Sequence, residues 1–220
     1  MDQIMISLGS GMTSARTRAR LVERLRAQGI SNEEVLNVMG AIPRHEFIDE
    51  ALSHKAYDDT SLPIGFGQTI SQPYIVARMS ELAAGVPERL SALEIGTGCG
   101  YQTAVLAKLF KTVHTIERVG GLLRNTRERL GRLGIHNARL RHADGSHGLK
   151  ELSPFNVILI TAAAPIVPES LIDQLADRGR LIFPVGTQEQ ELRMIERHGE
   201  DFLESRLEKV NFVPLLPGLS

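Results

Sequence analysis

The stretch Leu93-Glu94-Ile95-Gly96-Thr97-Gly98-Cys99-Gly100-Tyr101 carries an apolar strand into a helix through the spacing G-x-G-x-G. Glycines there let the backbone turn tightly and approach a ligand with no Cβ in the way. The helix that follows offers N–H groups without intrahelical partners. Glu117 ends the next strand-like segment, where a carboxylate can accept both hydroxyl hydrogens of a ribose. Asp144-Gly145 ends the third, and ligands of open α/β sheets bind at such strand ends. The dinucleotide fingerprint is G-x-G-x-x-G, with a helix facing a pyrophosphate. Here the third glycine comes one residue sooner, and Glu94 stands two residues before the first. A carboxylate suits a cation better than a pyrophosphate. S-adenosylmethionine carries a sulfonium and an ammonium, so Glu94, Gly96, Gly98, Gly100, Glu117 and Asp144 are expected to form its site. A plain strand-to-helix turn would account for the glycines but not for the carboxylates ending the next two strands.

These residues need elements to hold them. Ala15, Ala19, Val22 and Leu25 recur at helical spacing until Gly29. Ser31-Asn32-Glu33-Glu34 reads as a capping box before a second helix. Pro43 breaks the pattern, and Arg44 to His54 resumes it. Leu62 to Ser71 reads as an irregular loop, and Pro73 opens a helix closed by Gly85. From Leu90 the pattern alternates: strands at 90–95, 112–117, 138–144, 156–161 and 180–185, helices at 101–110, 122–133 and 168–176. That succession argues for a mostly parallel sheet with helices on both faces. Leu192 to Glu196 and Leu203 to Val213, joined at Gly199-Glu200-Asp201, predict an antiparallel pair at the sheet edge. The domain reading is a loose tail over residues 1–14, a helical segment with an active-site loop over 15–89, and a catalytic domain over 90–220.

Composition narrows the class. The 220 residues carry 25 Lys+Arg against 26 Asp+Glu, a net charge of -1, which excludes a strongly basic nucleic-acid platform. One cysteine excludes an internal disulfide framework and a multi-cysteine zinc site. The seven histidines show no metal-ligand spacing, so no metal is expected. The longest apolar run, Val157 to Val167, falls short of the ~20 residues of a membrane span. The expectation is a cytoplasmic protein without membrane or nucleic-acid partners, and a monomer rather than an oligomer.

The sequence resembles the bacterial type of the protein-L-isoaspartate(D-aspartate) O-methyltransferase family. The matching blocks are PRHEF at 43–47, LPIGFGQTISQP at 62–73, LEIGTGCGYQ at 93–102, TIER at 115–118, ADG at 143–145, TAAAP at 161–165, LIFPVG at 181–186 and FVPL at 212–215. The resemblance implies a Rossmann-like class I methyltransferase fold. It also implies transfer of a methyl group from S-adenosylmethionine to the free α-carboxylate of L-isoaspartyl residues in damaged proteins. The ester then cyclises to a succinimide that reopens partly to aspartate. Ser71 takes the active-site position, orienting the substrate carboxylate rather than attacking covalently. Tyr101, Arg118, Gly145 and Gln190 join the cofactor set. Gln68, Thr69, Ala163, Ala164, Pro165 and Val213 are expected at the substrate.

Simpler roles compete at several positions. Ser71 could cap the helix opened by Pro73, and Ala162 to Pro165 could be a packing turn. Arg124, Arg127, Arg129 and Arg132 read as a solvated helix face. Rival functions are a methyltransferase for a small molecule or RNA, an NAD-dependent oxidoreductase, and a non-catalytic binding protein on the same fold.

Overall fold

The computed structural model describes residues 13–166 and 169–220. Most of the expected tail lies outside them. Helix α1 (Ala15–Ala27) starts at Ser14, whose side chain accepts the Thr17 N–H, and it buries Leu21 and Leu25. Helix α2 (Glu33–Ala41) is capped by Asn32, whose Oδ1 accepts the Val35 N–H at 3.1 Å. The expected capping box at Ser31–Glu34 is therefore corrected. The backbone N–H groups of Ser31 and Asn32 are taken by Glu81 from another helix, at 2.8 and 2.9 Å. The single helix expected over 44–54 is two 3-10 turns, Arg44–Phe47 and Glu50–Lys55. Asp49 separates them because its carboxylate takes the Ala51 N–H and starts the second.

Residues 62–71 are not an irregular loop. Leu62–Gly65 (β1) and Gln68–Ile70 (β2) form an antiparallel hairpin, Leu62 opposite Ile70. Gly65, Phe66 and Gly67 all have positive φ, at 88°, 53° and 69°, which closes the tip within a few residues. Helix α3 (Pro73–Ala84) follows, with proline in its first turn.

The main sheet holds β3 (Ser91–Ile95), β4 (Thr112–Glu117), β5 (Ala138–His142), β6 (Phe155–Ile160), β7 (Leu175–Gly186), β8 (Gln190–His198) and β9 (Asp201–Val210). Their order is β5-β4-β3-β6-β7-β8-β9. The pairs from β5 through β7 are parallel, and β8 and β9 complete the edge antiparallel. Helices α4 (Tyr101–Leu109) and α5 (Gly120–Arg132) follow β3 and β4. Helix α6 (Glu169–Ile172) is shorter than the expected 168–176, because the chain enters β7 at Leu175, opposite Phe155. Pro168 lies outside the described residues.

Alternate strand residues feed two cores, as a sheet covered on both faces requires. Ala92, Val113, Val157 and Leu159 pack with Leu21, Leu36, Met39 and Ala104. Leu93, Ile116, Ile158 and Ile160 pack with Leu149, Leu171 and Leu175. The chain runs from β3 outward to β5, then returns to β6 on the other side of β3. That reversal opens a crevice at the carboxyl end of β3, where α/β sheets take ligands.

Candidate active site

The crevice is a cleft lined by Gly96 and Gly98 from the glycine turn, Glu117 and Arg118 at the end of β4, and Gly145. Gln68 and Thr69 of the hairpin close one side, and Val213 to Leu216 another. The glycines do different work. A Cβ on Gly98 would meet only Ile64 Cδ1, at 3.5 Å, so this residue leaves its backbone open. A Cβ on Gly96 would lie 2.3 Å from Thr161 Oγ1, and one on Gly100 would lie 2.5 Å from Thr126 Cγ2. Both also have positive φ, at 98° and 87°, so packing and backbone each require glycine there, and Gly96 lines the cleft as well.

Glu117 shapes the turn. Its Oε2 accepts the Gly98 N–H at 2.8 Å and its Oε1 the Val119 N–H at 2.9 Å. Thr161 supports the same turn from β6, donating to the carbonyl of Gly96 at 2.6 Å. The expectations left Thr161 out of the site. Its signals were a hydroxyl at the end of an apolar strand and its place at the head of the TAAAP block.

A second cavity lies beside the cleft. It is lined by Ser71, Gln72, Tyr74, Asp59 and the segment Glu208 to Val213. The two cavities share Thr69, Thr161 and Val213. Ser71 is half-buried, and its hydroxyl makes no hydrogen bond among the described residues. The N-cap of α3 is Gln72, without a side-chain cap bond, so the capping role for Ser71 is not realised.

Several expected site residues lie elsewhere. Glu94 is fully buried and does not line the cleft. Its Oε2 accepts from Thr103 and, at 2.6 Å, from Thr115, while Oε1 has no partner among the described residues. Tyr101 is buried against Phe47, with the Arg44 guanidinium 4.8 Å from its ring centroid. Burial pushes its hydroxyl up to about 12. Gln190 bonds both backbone polar groups of Phe212, at 3.0 and 2.6 Å, and so braces the β8–β9 edge. Ala163 bridges by its backbone to Val213 and Leu215, and Ala164 to Pro184. Ala163, Ala164 and Pro165 line neither cavity. Ala163 fixes the path of residues 213–215, and Ala164 ties the same turn to the end of β7.

Asp144 meets the tail. Its Oδ1 accepts from Ser146 and its Oδ2 from the Gly218 N–H at 2.6 Å. Those bonds hold the carboxyl down at about 2. Arg118 grips the same segment through the carbonyls of Gly218 and Pro217, at 3.0 and 3.4 Å. The two charged residues thus strap residues 217–218 beside the cleft. Cys99 is buried, and burial raises its thiol above the ordinary range. Among the described residues no cluster of His, Cys, Asp and Glu could hold a metal ion.

Burial also raises Glu94, from 4.5 to about 8. The native state therefore keeps this proton longer than the unfolded chain does. Stability from this group is full below pH 4.5 and is lost as pH rises toward 8. Glu94→Gln removes that titration. Thermal melts should show the variant gaining on the wild type from pH 5 to pH 8. A difference that stays constant across that range rejects the assignment.

A family model described as protein-L-isoaspartate(D-aspartate) O-methyltransferase matches residues 16–219. The chain belongs to this family. Relatives with the name protein-L-isoaspartate O-methyltransferase include one from Nitrosomonas eutropha, 56% identical over 212 residues and 96% of both chains. One from Marinobacter nauticus is 57% identical over 212 residues, again 96% of both chains. Among solved structures, the chain is similar to a protein-L-isoaspartate O-methyltransferase from Plasmodium falciparum in complex with S-adenosyl-L-homocysteine. The TM-score is 0.81 at 30% identity, covering 90% of this chain and 98% of that one. A second protein-L-isoaspartate O-methyltransferase structure gives 0.82 at 28% identity, over 92% and 67%. The family fixes the fold as a Rossmann-like methyltransferase, with the parallel sheet and antiparallel edge described above.

Proposed function

We infer that this protein transfers a methyl group from S-adenosylmethionine to the free α-carboxylate of L-isoaspartyl residues in damaged proteins, opening a repair route through a succinimide. The observation that carries the reading is the meeting of two cavities at Thr69, Thr161 and Val213, with Ser71 in the second. A transferase needs a donor site and an acceptor site that touch at one place.

The donor cleft suits a cationic nucleoside. Gly98 leaves open backbone, and the Glu117 carboxylate lines the wall together with Arg118. When bound, S-adenosylmethionine supplies an electrophilic sulfonium methyl. The acceptor carboxylate, with an ordinary pKa of ~3.5–3.9, is already ionised at neutral pH. No residue has to remove a proton. The protein must orient the carboxylate and keep it close, which is where much of such a barrier is overcome. The Ser71 hydroxyl can donate to one carboxylate oxygen and leave the other aimed at the junction. Gln68, Thr69 and Val213 would hold the peptide beside it.

Among the described residues no helix is long and apolar enough to cross a membrane. A cytoplasmic monomer that acts on proteins without nucleic acid belongs to the same reading. The test pairs an isoaspartyl peptide with its aspartyl counterpart in the presence of methyl-labelled S-adenosylmethionine. Label should appear on the isoaspartyl peptide alone, as a base-labile ester. Equal labelling of both, or of neither, overturns the reading.

A further inference from the structure

The β1–β2 hairpin carries Thr69 to the cavity junction and leads directly into Ser71, yet its attachment is slight. Among the described residues no hydrogen bond joins residues 62–71 to the rest of the chain. An isolated two-stranded hairpin is marginal in water. Apolar contacts must hold this one. Leu62 and Ile70 are buried at its base. At its tip stands Phe66, which is 63% exposed and has a φ of 53°. A bulky residue rarely takes that conformation, and such strain persists only where the surroundings impose it.

Here the two-residue turn Phe66-Gly67, with positive φ at both positions, imposes it and sends the ring toward α5. A Cβ built on Gly121 would lie 2.5 Å from Phe66 Cζ and 3.0 Å from Cε1. The ring end therefore rests on the bare backbone of Gly121, in the first turn of α5. That turn directly follows Glu117, Arg118 and Val119 of the donor cleft wall.

We propose that Phe66 is a positioning residue: seated on Gly121, it docks the hairpin on α5 and fixes Thr69 and Ser71 at the cavity junction. The proposal rests on the reading of that junction as the place of methyl transfer. Gly121→Ala is the sharpest probe. It puts a methyl where the ring lies, while alanine favours the helix over glycine. Stability should hold or rise, and the ring must shift off its seat.

Phe66→Ala, Gly121→Ala, the double of these two, and Phe66→Leu test this. Phe66→Ala and Gly121→Ala should each lower kcat/KM for an isoaspartyl peptide by about tenfold or more, since small misplacements at a reacting centre are costly. The double variant should be no worse than Phe66→Ala alone, because the clash needs the ring. Phe66→Leu, which keeps an apolar seat, should recover much of the loss. Amide hydrogen exchange at Gln68–Ile70 should quicken in both single variants without a fall in Tm for Gly121→Ala. A Phe66→Ala enzyme within twofold of wild type, a double variant that loses the product of both single effects, or unchanged exchange would each overturn the proposal. If wild type methylates no isoaspartyl peptide, the functional reading fails, while the exchange comparison still decides the docking.

Discussion

Replacing Ser71 with alanine is expected to lower kcat/KM for an isoaspartyl peptide by roughly 10- to 100-fold while Tm stays within about 2 °C. The range is what one hydrogen bond to a charged group supplies, ~1.5–3 kcal/mol, converted to rate. The small change in Tm follows from the structure. The hydroxyl makes no hydrogen bond among the described residues, and the N-cap of α3 is Gln72. Ser71→Thr keeps the hydroxyl and should retain more activity than alanine. The pH profile is a second readout. With an acceptor ionised far below neutrality and no base required, Ser71→Ala should lower the profile uniformly rather than shift it. Steady-state kinetics from pH 6 to 9 with a parallel melt decide the matter. An alanine variant with wild-type turnover removes Ser71 from the mechanism.

The sheet was legible because strands covered on both faces are apolar runs. Phe155–Ile160 and Ser91–Ile95 stand out against the Arg-rich α5 for that reason. The hairpin was not legible. Its alternation, Leu62, Ile64 and Ile70, is interrupted by a tip of two glycines around Phe66, and glycine reads as a loop. Strand order was beyond reach, since β6 pairs with β3 only through contacts distant in sequence.

At the site, spacing revealed which residues end strands but not which way a side chain faces. Glu117 and Glu94 illustrate the difference. Both sit near strand ends, yet Glu117 lines the cleft and Glu94 turns to Thr103 and Thr115 behind it. Tyr101 and Gln190 had the right neighbours in sequence, and their partners are Phe47 and Phe212. Gln68, Thr69 and Val213, expected at the substrate, all line the cleft beside Glu117, and only Thr69 and Val213 also line the second cavity. Asp144 is a third case. Its acidity is used, though the group it meets in this structure is the Gly218 N–H.

Glu117→Gln should be more damaging than its shape suggests. The carboxylate accepts two backbone N–H groups, one on each oxygen, from Gly98 and Val119. An amide offers one acceptor and one donor. Whichever way it is turned, an NH2 then opposes a backbone N–H, and a donor beside the cleft loses its partner. Each such bond to a charged acceptor is worth ~1.5–3 kcal/mol, and a buried unsatisfied donor adds about 1–3 kcal/mol. Gly98 is also the glycine whose backbone is open to the cleft, so its displacement falls on the ligand. S-adenosylhomocysteine affinity, measured by calorimetry, should therefore drop by roughly 10- to 100-fold. Glu117→Asp keeps both acceptors on a shorter arm and should lose less. Peptide KM at saturating cofactor should move far less than cofactor affinity, because Glu117 lines only the donor cleft of the two cavities. A Gln variant that binds S-adenosylhomocysteine like wild type would show that the carboxylate only braces the fold. Loss of peptide KM alone would place Glu117 on the acceptor side, against the geometry.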